Sequence, residues 1–209
     1  MDHHLEKFIM DHSTPEDPLL ADLYRQTYLR FVNPNMVSGH LQGKFLEMIS
    51  GMVSPGVILE IGTFTGYSAI CLARGLKPGG ILFTIELNDE LASFSAEYFN
   101  KAGLSAQIKQ LTGKAQDIIP GIDKQFDLVY IDGDKREYCE YFALVKDKVR
   151  KGGFIVADNV LWGGKAMEKG SKDQQTQGII DFNETIRNEP GIENLILPFR
   201  DGLMLIRKI

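Results

Sequence analysis

The run Val57-Ile58-Leu59-Glu60-Ile61-Gly62-Thr63-Phe64-Thr65-Gly66-Tyr67-Ser68 decides the fold. Four apolar residues surround one acid, the pattern of a strand buried on both faces of a parallel sheet. Gly62 and Gly66 then close a tight turn, and Tyr67 to Arg74 has the composition of a helix. Strand, glycine turn and helix in this order open a nucleotide-type α/β fold, where the backbone can approach a ligand at the strand's C-terminal end. The spacing is E-x-G-x-x-x-G, not the G-x-G-x-x-G that seats a pyrophosphate on a helix N-terminus. Glu60 at the strand end repels a dinucleotide phosphate and suits a cationic ligand.

The next apolar segment, Ile81 to Ile85, reads as a second strand and ends at Glu86. Glu86 lies about 20 residues past the glycine turn, where an acid accepts both hydroxyls of a ribose. A solvated acid at a strand end is the plainer alternative. A ribose joined to a cationic group describes S-adenosylmethionine, with its sulfonium and its ammonium.

Further along, apolar segments alternate with helix-length ones: 57–61, 81–85, 106–111, 126–131 and 153–157. That alternation predicts a doubly wound, mostly parallel sheet covered on both faces. Ile192 to Pro198 and Leu203 to Ile209 are strand-like and flank Phe199-Arg200-Asp201-Gly202, which predicts a C-terminal antiparallel hairpin. Residues 1–54 lack strand patterning and predict an N-terminal helical cap on a 55–209 core, within one domain spanning 1–209. Thr14 is placed to cap a helix opening with Pro15-Glu16-Asp17. A further helix is expected from about Ser38 to Met52, ended by Ser54-Pro55-Gly56.

The chain has 209 residues and a net charge of −5. No dense Lys/Arg run gives it the footprint of a nucleic-acid binder. The nearest approach, Lys146-Asp147-Lys148-Val149-Arg150-Lys151, reads as the solvated end of a helix. No apolar run has transmembrane length, and the N-terminus lacks the apolar core of a signal peptide. His3 and His4 read as part of a solvated terminus rather than a metal site. Cys71 and Cys139 form no disulfide or metal pattern and read as buried free thiols, so a reducing cytoplasm is expected.

Polar residues gather at three later strand ends. Phe126 to Ile131 leads into Asp132-Gly133-Asp134-Lys135, and Gly153 to Ala157 leads into Asp158-Asn159. The third strand leads into Gly113-Lys114-Ala115-Gln116-Asp117. In a doubly wound sheet these ends open onto one crevice. Asp132, Asp158 and Asn159 offer oxygen ligands from two neighbouring strands. Such a set suits Mg²⁺, with Mn²⁺ or Ca²⁺ as alternatives, whereas zinc asks for His or Cys. Each also has a plainer use, Asp132 as a helix cap and Asp158-Asn159 as a turn.

Together the strings ILEIGTFTGYS, TIELN, Gly113 to Ile119, IDGDK and ADNVLWGG resemble the cation-dependent O-methyltransferases, the group that includes catechol and caffeoyl-coenzyme A O-methyltransferases. The likeness runs from about Met36 to the C-terminus. It implies that Asp132, Asp158 and Asn159 hold a divalent cation and that Lys135 is the general base. It implies cofactor contacts from Met36, Ser38, Glu60, Gly62, Gly66, Ser68, Glu86, Gly113, Ala115, Gln116 and Asp132. Trp162 matches an aromatic wall of the acceptor site. Two features depart from the pattern: Gln42-Gly43-Lys44 replaces the Glu-Gly-Gln of the plant enzymes, and Gly133-Asp134 replaces a bulky pair of the animal ones. The implied activity is methyl transfer from S-adenosylmethionine to a vicinal dihydroxy aromatic, by a homodimer without nucleic-acid or membrane partners. The rival readings are a nicotinamide dehydrogenase and a non-catalytic binding protein on the same fold. The loop from Trp162 to Gln177, with Gly163, Gly164, Lys165, Lys169 and Lys172, is expected to be mobile and either to border the acceptor or to be a solvated loop with no substrate role.

Overall fold

The computed structural model describes residues 3–168 and 171–209. Lys169 of the expected acceptor loop and Met1-Asp2 lie outside the described residues, as does the side chain of His3. Three helices come first: α1 (His3–Asp11), α2 (Pro18–Arg30) and α3 (His40–Val53). Strands and helices then alternate: β1 (Val57–Ile61), α4 (Tyr67–Ala73), β2 (Ile81–Glu86), α5 (Ala92–Lys101), β3 (Ile108–Thr112), α6 (Ala115–Ile118), β4 (Phe126–Ile131), α7 (Tyr138–Val145) and β5 (Val149–Ala157). The chain ends with α8 (Gln174–Asn188), β6 (Ile192–Leu197) and β7 (Leu203–Lys208).

The seven strands form one sheet in the order β3-β2-β1-β4-β5-β7-β6. β1 to β5 are parallel, and β7 runs antiparallel to both β5 and β6. This is the doubly wound sheet with a C-terminal antiparallel hairpin that the alternation predicts. The strand order reverses between β1 and β4, and a reversal leaves a crevice at the C-terminal strand ends.

Side chains leave the two faces of each strand alternately. Leu59 and Ile61 of β1 join one apolar layer with Val129 and Ile131 of β4, under α7 and α8. Ile58 joins the other with Leu128 and Tyr130, under α3 and α4. Burying each such aliphatic or aromatic side chain contributes about 1.5–3 kcal/mol, which orders the strands before any site chemistry is considered.

Four boundaries differ from the sequence reading. The second helix starts at Pro18, capped by Asp17 rather than Thr14. Asp17 accepts from the Leu19 N–H at 2.7 Å and from Arg74 at 2.8 Å, so a tertiary ion pair with the residue after α4 selects the later start. β3 begins at Ile108, two residues later than expected, because Ile108 N–H is still bonded to the Leu104 carbonyl in the preceding turn. The basic run 146–151 is only partly the end of α7, for Val149 to Lys151 already belong to β5. β5 is longer than its apolar part because its pairing with β4 jumps from Phe126↔Val149 to Leu128↔Phe154, a bulge that absorbs the Gly152-Gly153 pair. The acceptor loop is shorter than expected, since α8 begins at Gln174.

Candidate active site

The crevice is a cavity of about 1080 Å³ over the C-terminal ends of β1, β2, β4 and β5. Its volume sits at the upper end of ligand sites, enough for a cofactor and an acceptor together. The turn after β1 is tied to β2, with Gly62 and Thr63 N–H both bonded to the Ile85 carbonyl at 2.9 and 3.2 Å. Gly62 has φ +101, and a Cβ there would lie 2.3 Å from the Asp132 carbonyl oxygen. Only glycine lets the ends of β1 and β4 approach this closely.

Glu86 ends β2 on the cavity wall. Its Oε2 accepts the Phe64 N–H at 2.8 Å and its Oε1 accepts the Asn88 N–H at 3.0 Å. Those bonds fix the carboxylate and leave lone pairs on both oxygens for a pair of hydroxyls. Gly113 N–H bonds to the Glu86 carbonyl at 2.9 Å, which brings the segment Gly113-Lys114-Ala115-Gln116 alongside. Met36, Ser38, Gly62, Ser68, Glu86, Gly113, Ala115, Gln116 and Asp132 all line the cavity.

Two of the expected cofactor residues sit behind that wall. Gly66, with φ +91, starts α4 and faces Phe99. Glu60 shares the strand face of Ile58 and is fully buried; its Oε2 accepts the Thr84 hydroxyl at 2.5 Å, and its Oε1 has no partner among the described residues. Burial pushes the Glu60 carboxyl up to about 8, against the nearby Ser68 and Thr84 hydroxyls that pull it down, with Asp132 and Glu86 adding to the rise. Asp132 and Glu86, not Glu60, are the carboxylates of this set on the cavity wall.

A raised acid in the folded state binds more protons than the unfolded chain, so its stabilising effect is present at low pH and lost as pH rises. The window runs from the ordinary value of 4.5 to about 8. Urea melts of the ligand-free protein should show stability falling across that window, and Glu60→Gln should flatten the fall. An unchanged slope in the variant would assign the dependence to another group.

The second cluster lies between β4 and β5. Asp132 follows β4, its N–H bonded to the Ile61 carbonyl at 2.9 Å; Asp158 follows β5, its N–H bonded to the Ile131 carbonyl at 3.0 Å. Both face the cavity with Asn159 and Lys135. Lys135 is 7% exposed, and its Nζ donates to Asp132 Oδ1 at 2.8 Å and to the Tyr138 hydroxyl at 2.7 Å. Tyr138 in turn donates to the Asp158 carbonyl at 3.0 Å and the Ile131 carbonyl at 3.2 Å. α8 packs on the backbone here through Gly178, where a Cβ would lie 2.3 Å from the Lys135 carbonyl oxygen. The helix cap in this segment is Asp134, which accepts the Arg136 N–H, so Asp132 is not spent as a cap.

Burial pushes the Asp132 carboxyl up to about 6; Lys135 opposes the rise and Asp158 adds to it. Two carboxylates that repel each other across a cavity favour a cation between them. Asn159 is held at φ +58, in the left-handed region, and its side-chain amide makes no hydrogen bond among the described residues. No three His, Cys, Asp or Glu side chains gather as a metal group among the described residues. The donor set here is two carboxylates and an amide, all oxygen, which fits a hard divalent ion.

Trp162 also lines the cavity, at φ +49, with its Nε1 buried and unpartnered among the described residues. The Trp162–Met167 segment is a helical turn interrupted at Gly163 and Gly164, and Gly163 N–H is anchored to Asp201 of the β6–β7 turn. That anchor, Gln42 on α3, Tyr130 on β4 and Arg200 beside Asp201 complete the site. Sequence reading assigned none of these four a role. Tyr130 was visible as the one hydroxyl in an apolar strand, and Gln42 only as a departure from a family pattern. Cys71 is buried as expected, while Cys139 is half-buried beside Thr185.

Among the described residues no helix is long and apolar enough to cross a membrane. The sequence profile of a family described as O-methyltransferase matches residues 10–209. A catechol O-methyltransferase of Niastella koreensis is 37% identical over 170 residues, which cover 79% of this chain and 74% of that protein. Caffeoyl-CoA O-methyltransferase 2 of Petunia hybrida is 27% identical over 218 residues, 98% of this chain and 90% of its own. The crystal structure of the O-methyltransferase TomG from Streptomyces achromogenes, solved in complex with SAM, superposes with a TM-score of 0.93 at 30% identity, covering 100% of this chain and 99% of that one. These likenesses lead to one conclusion: the chain belongs to the O-methyltransferase family and is an S-adenosylmethionine-dependent enzyme.

Proposed function

We propose that this enzyme methylates a hydroxyl of a catechol-like acceptor, a vicinal dihydroxy aromatic, with the help of a divalent cation held by Asp132, Asp158 and Asn159. One observation carries the reading: these three oxygen donors and Lys135 converge on the cavity wall from adjacent strand ends, beside the Glu86 pole. The catechol and caffeoyl-CoA relatives support it.

When bound, S-adenosylmethionine supplies an electrophilic methyl group and a divalent cation supplies positive charge that favours an ionised oxygen. The remaining work falls to the chain. Glu86 holds the ribose and the glycine turn after β1 lets the backbone close on the methionine end. Trp162 bounds the acceptor ring. Lys135, held by the Tyr138 hydroxyl, takes the acceptor's proton at Nζ. Its present partner Asp132 would be one of the cation ligands. Holding acceptor and methyl donor at near-attack distance supplies roughly 7–11 kcal/mol of the barrier.

A chelator tests the reading. With catechol and S-adenosylmethionine present, excess chelator should abolish turnover, and added Mg²⁺ or Mn²⁺ should restore it. Full activity in chelator would remove the cation from the mechanism. We further infer one domain and a homodimer, the latter supported by exposed Phe8, Met48 and Met52 on α1 and α3. A cytoplasmic location is supported by the free thiols Cys71 and Cys139.

A further inference from the structure

Gln42 lies on α3, far in sequence from both clusters, yet its side chain is 2% exposed and reaches the centre of the site. Its amide nitrogen donates to the Tyr130 hydroxyl at 2.8 Å and to Asp158 Oδ2. Its carbonyl oxygen accepts from Arg200 Nη1 at 2.6 Å, and the same nitrogen donates to the Ser38 carbonyl. Tyr130 gives Asp158 Oδ2 a second donor at 3.0 Å, and the Asn159 N–H meets Oδ1 at 2.7 Å. The partners fix which way the amide points: a guanidinium only donates and an ionised carboxylate only accepts, so the oxygen must face Arg200 and the nitrogen Asp158.

The network meets a need of this site. Asp158 follows the last residue of β5, and Asn159 after it turns through a left-handed conformation. A carboxylate on such a bend has no strand neighbour to hold its rotamer. Donors from α3, β4 and its own backbone hold it instead. An apolar side chain would tie α3 to the sheet more cheaply, because a buried amide is costly unless its polar atoms are satisfied. Here both ends of the amide are satisfied, one by Asp158 itself.

We propose that Gln42 is a positioning residue for Asp158, fixing the carboxylate in the orientation that meets the divalent cation. The inference rests on the cation reading above. A hydrogen-bonded support of a metal-binding carboxylate is typically worth about 10–100-fold in metal affinity.

The test is Mn²⁺ affinity, read from the paramagnetic resonance signal of the free ion with purified protein and no acceptor, alongside thermal midpoints. The variant is Gln42→Met, which keeps length and loses both polar atoms. Wild type should bind Mn²⁺, and the variant should bind it about 10–100-fold more weakly. Equal Mn²⁺ affinity in the two proteins would overturn the positioning role and leave the cation reading standing. A lowered thermal midpoint with unchanged Mn²⁺ affinity would overturn it too, marking Gln42 as a structural tie. Failure of wild type to bind Mn²⁺ would overturn the cation reading and this inference with it. Should Gln42→Met fail to fold, Gln42→Asn decides: it keeps the amide but is one methylene too short to span Arg200 and Asp158, and the same weakening is expected.

Discussion

Lys135→Ala should lower kcat by about 10²–10⁴, the range for losing general acid–base help. The lysine is the one cation whose Nζ lies within hydrogen-bond reach of Asp132 among the described residues, and Tyr138 holds it there. An ordinary surface ion pair would contribute about 0–1 kcal/mol and nothing to kcat. This pair differs in burial, with the lysine side chain 8% exposed. The fold should survive, because the Asp132 side chain keeps 21% exposure and water can take up the freed carboxylate. Cofactor affinity should change little, since Glu86 and the glycine turn are untouched. Single-turnover methylation and calorimetric titration of S-adenosylhomocysteine separate the two quantities. A variant with near-normal kcat would show that another group takes the proton.

Asp158→Ala should be as damaging, by a different route. It removes a carboxylate that would bind the cation and strands the donors of Gln42 and Tyr130 that converge on it. Turnover at ordinary Mg²⁺ should fall to the level of chelated wild type, and raising Mg²⁺ should recover little of it. Leaving buried donors unsatisfied costs about 1–3 kcal/mol each, so the thermal midpoint should also drop without loss of the folded state. Activity equal to wild type at the same Mg²⁺ would remove Asp158 from the cation site.

The parts legible in the sequence are those written in local pattern. The apolar run from Val57 with its two glycines marks β1 and its turn, and strand-length segments in alternation with helical ones mark a parallel sheet. Asp132 and Asp158-Asn159 are readable because each directly follows an apolar strand, and topology alone brings such ends together. Glu60 shows the limit. The motif places it at a strand end, but the two-residue period of the strand turns its side chain into the layer under α4, where burial rather than ligand charge sets its ionisation. Gln42 and Arg200 illustrate what pattern cannot carry. Their partners lie 116 and 158 residues apart in the chain, and only the folded helices bring them together. The start of α2 at Pro18 has the same origin, an ion pair between Asp17 and Arg74 that no local rule contains.

The measurement that bears most directly on the central claim compares initial rates of methyl transfer from S-adenosylmethionine to catechol and to its monophenol analogue, both with saturating Mg²⁺. A site built on two adjacent oxygens meeting one cation cannot align an acceptor that has lost one of them. The diphenol should be methylated and the monophenol should not. Equal rates on the two acceptors would contradict the account.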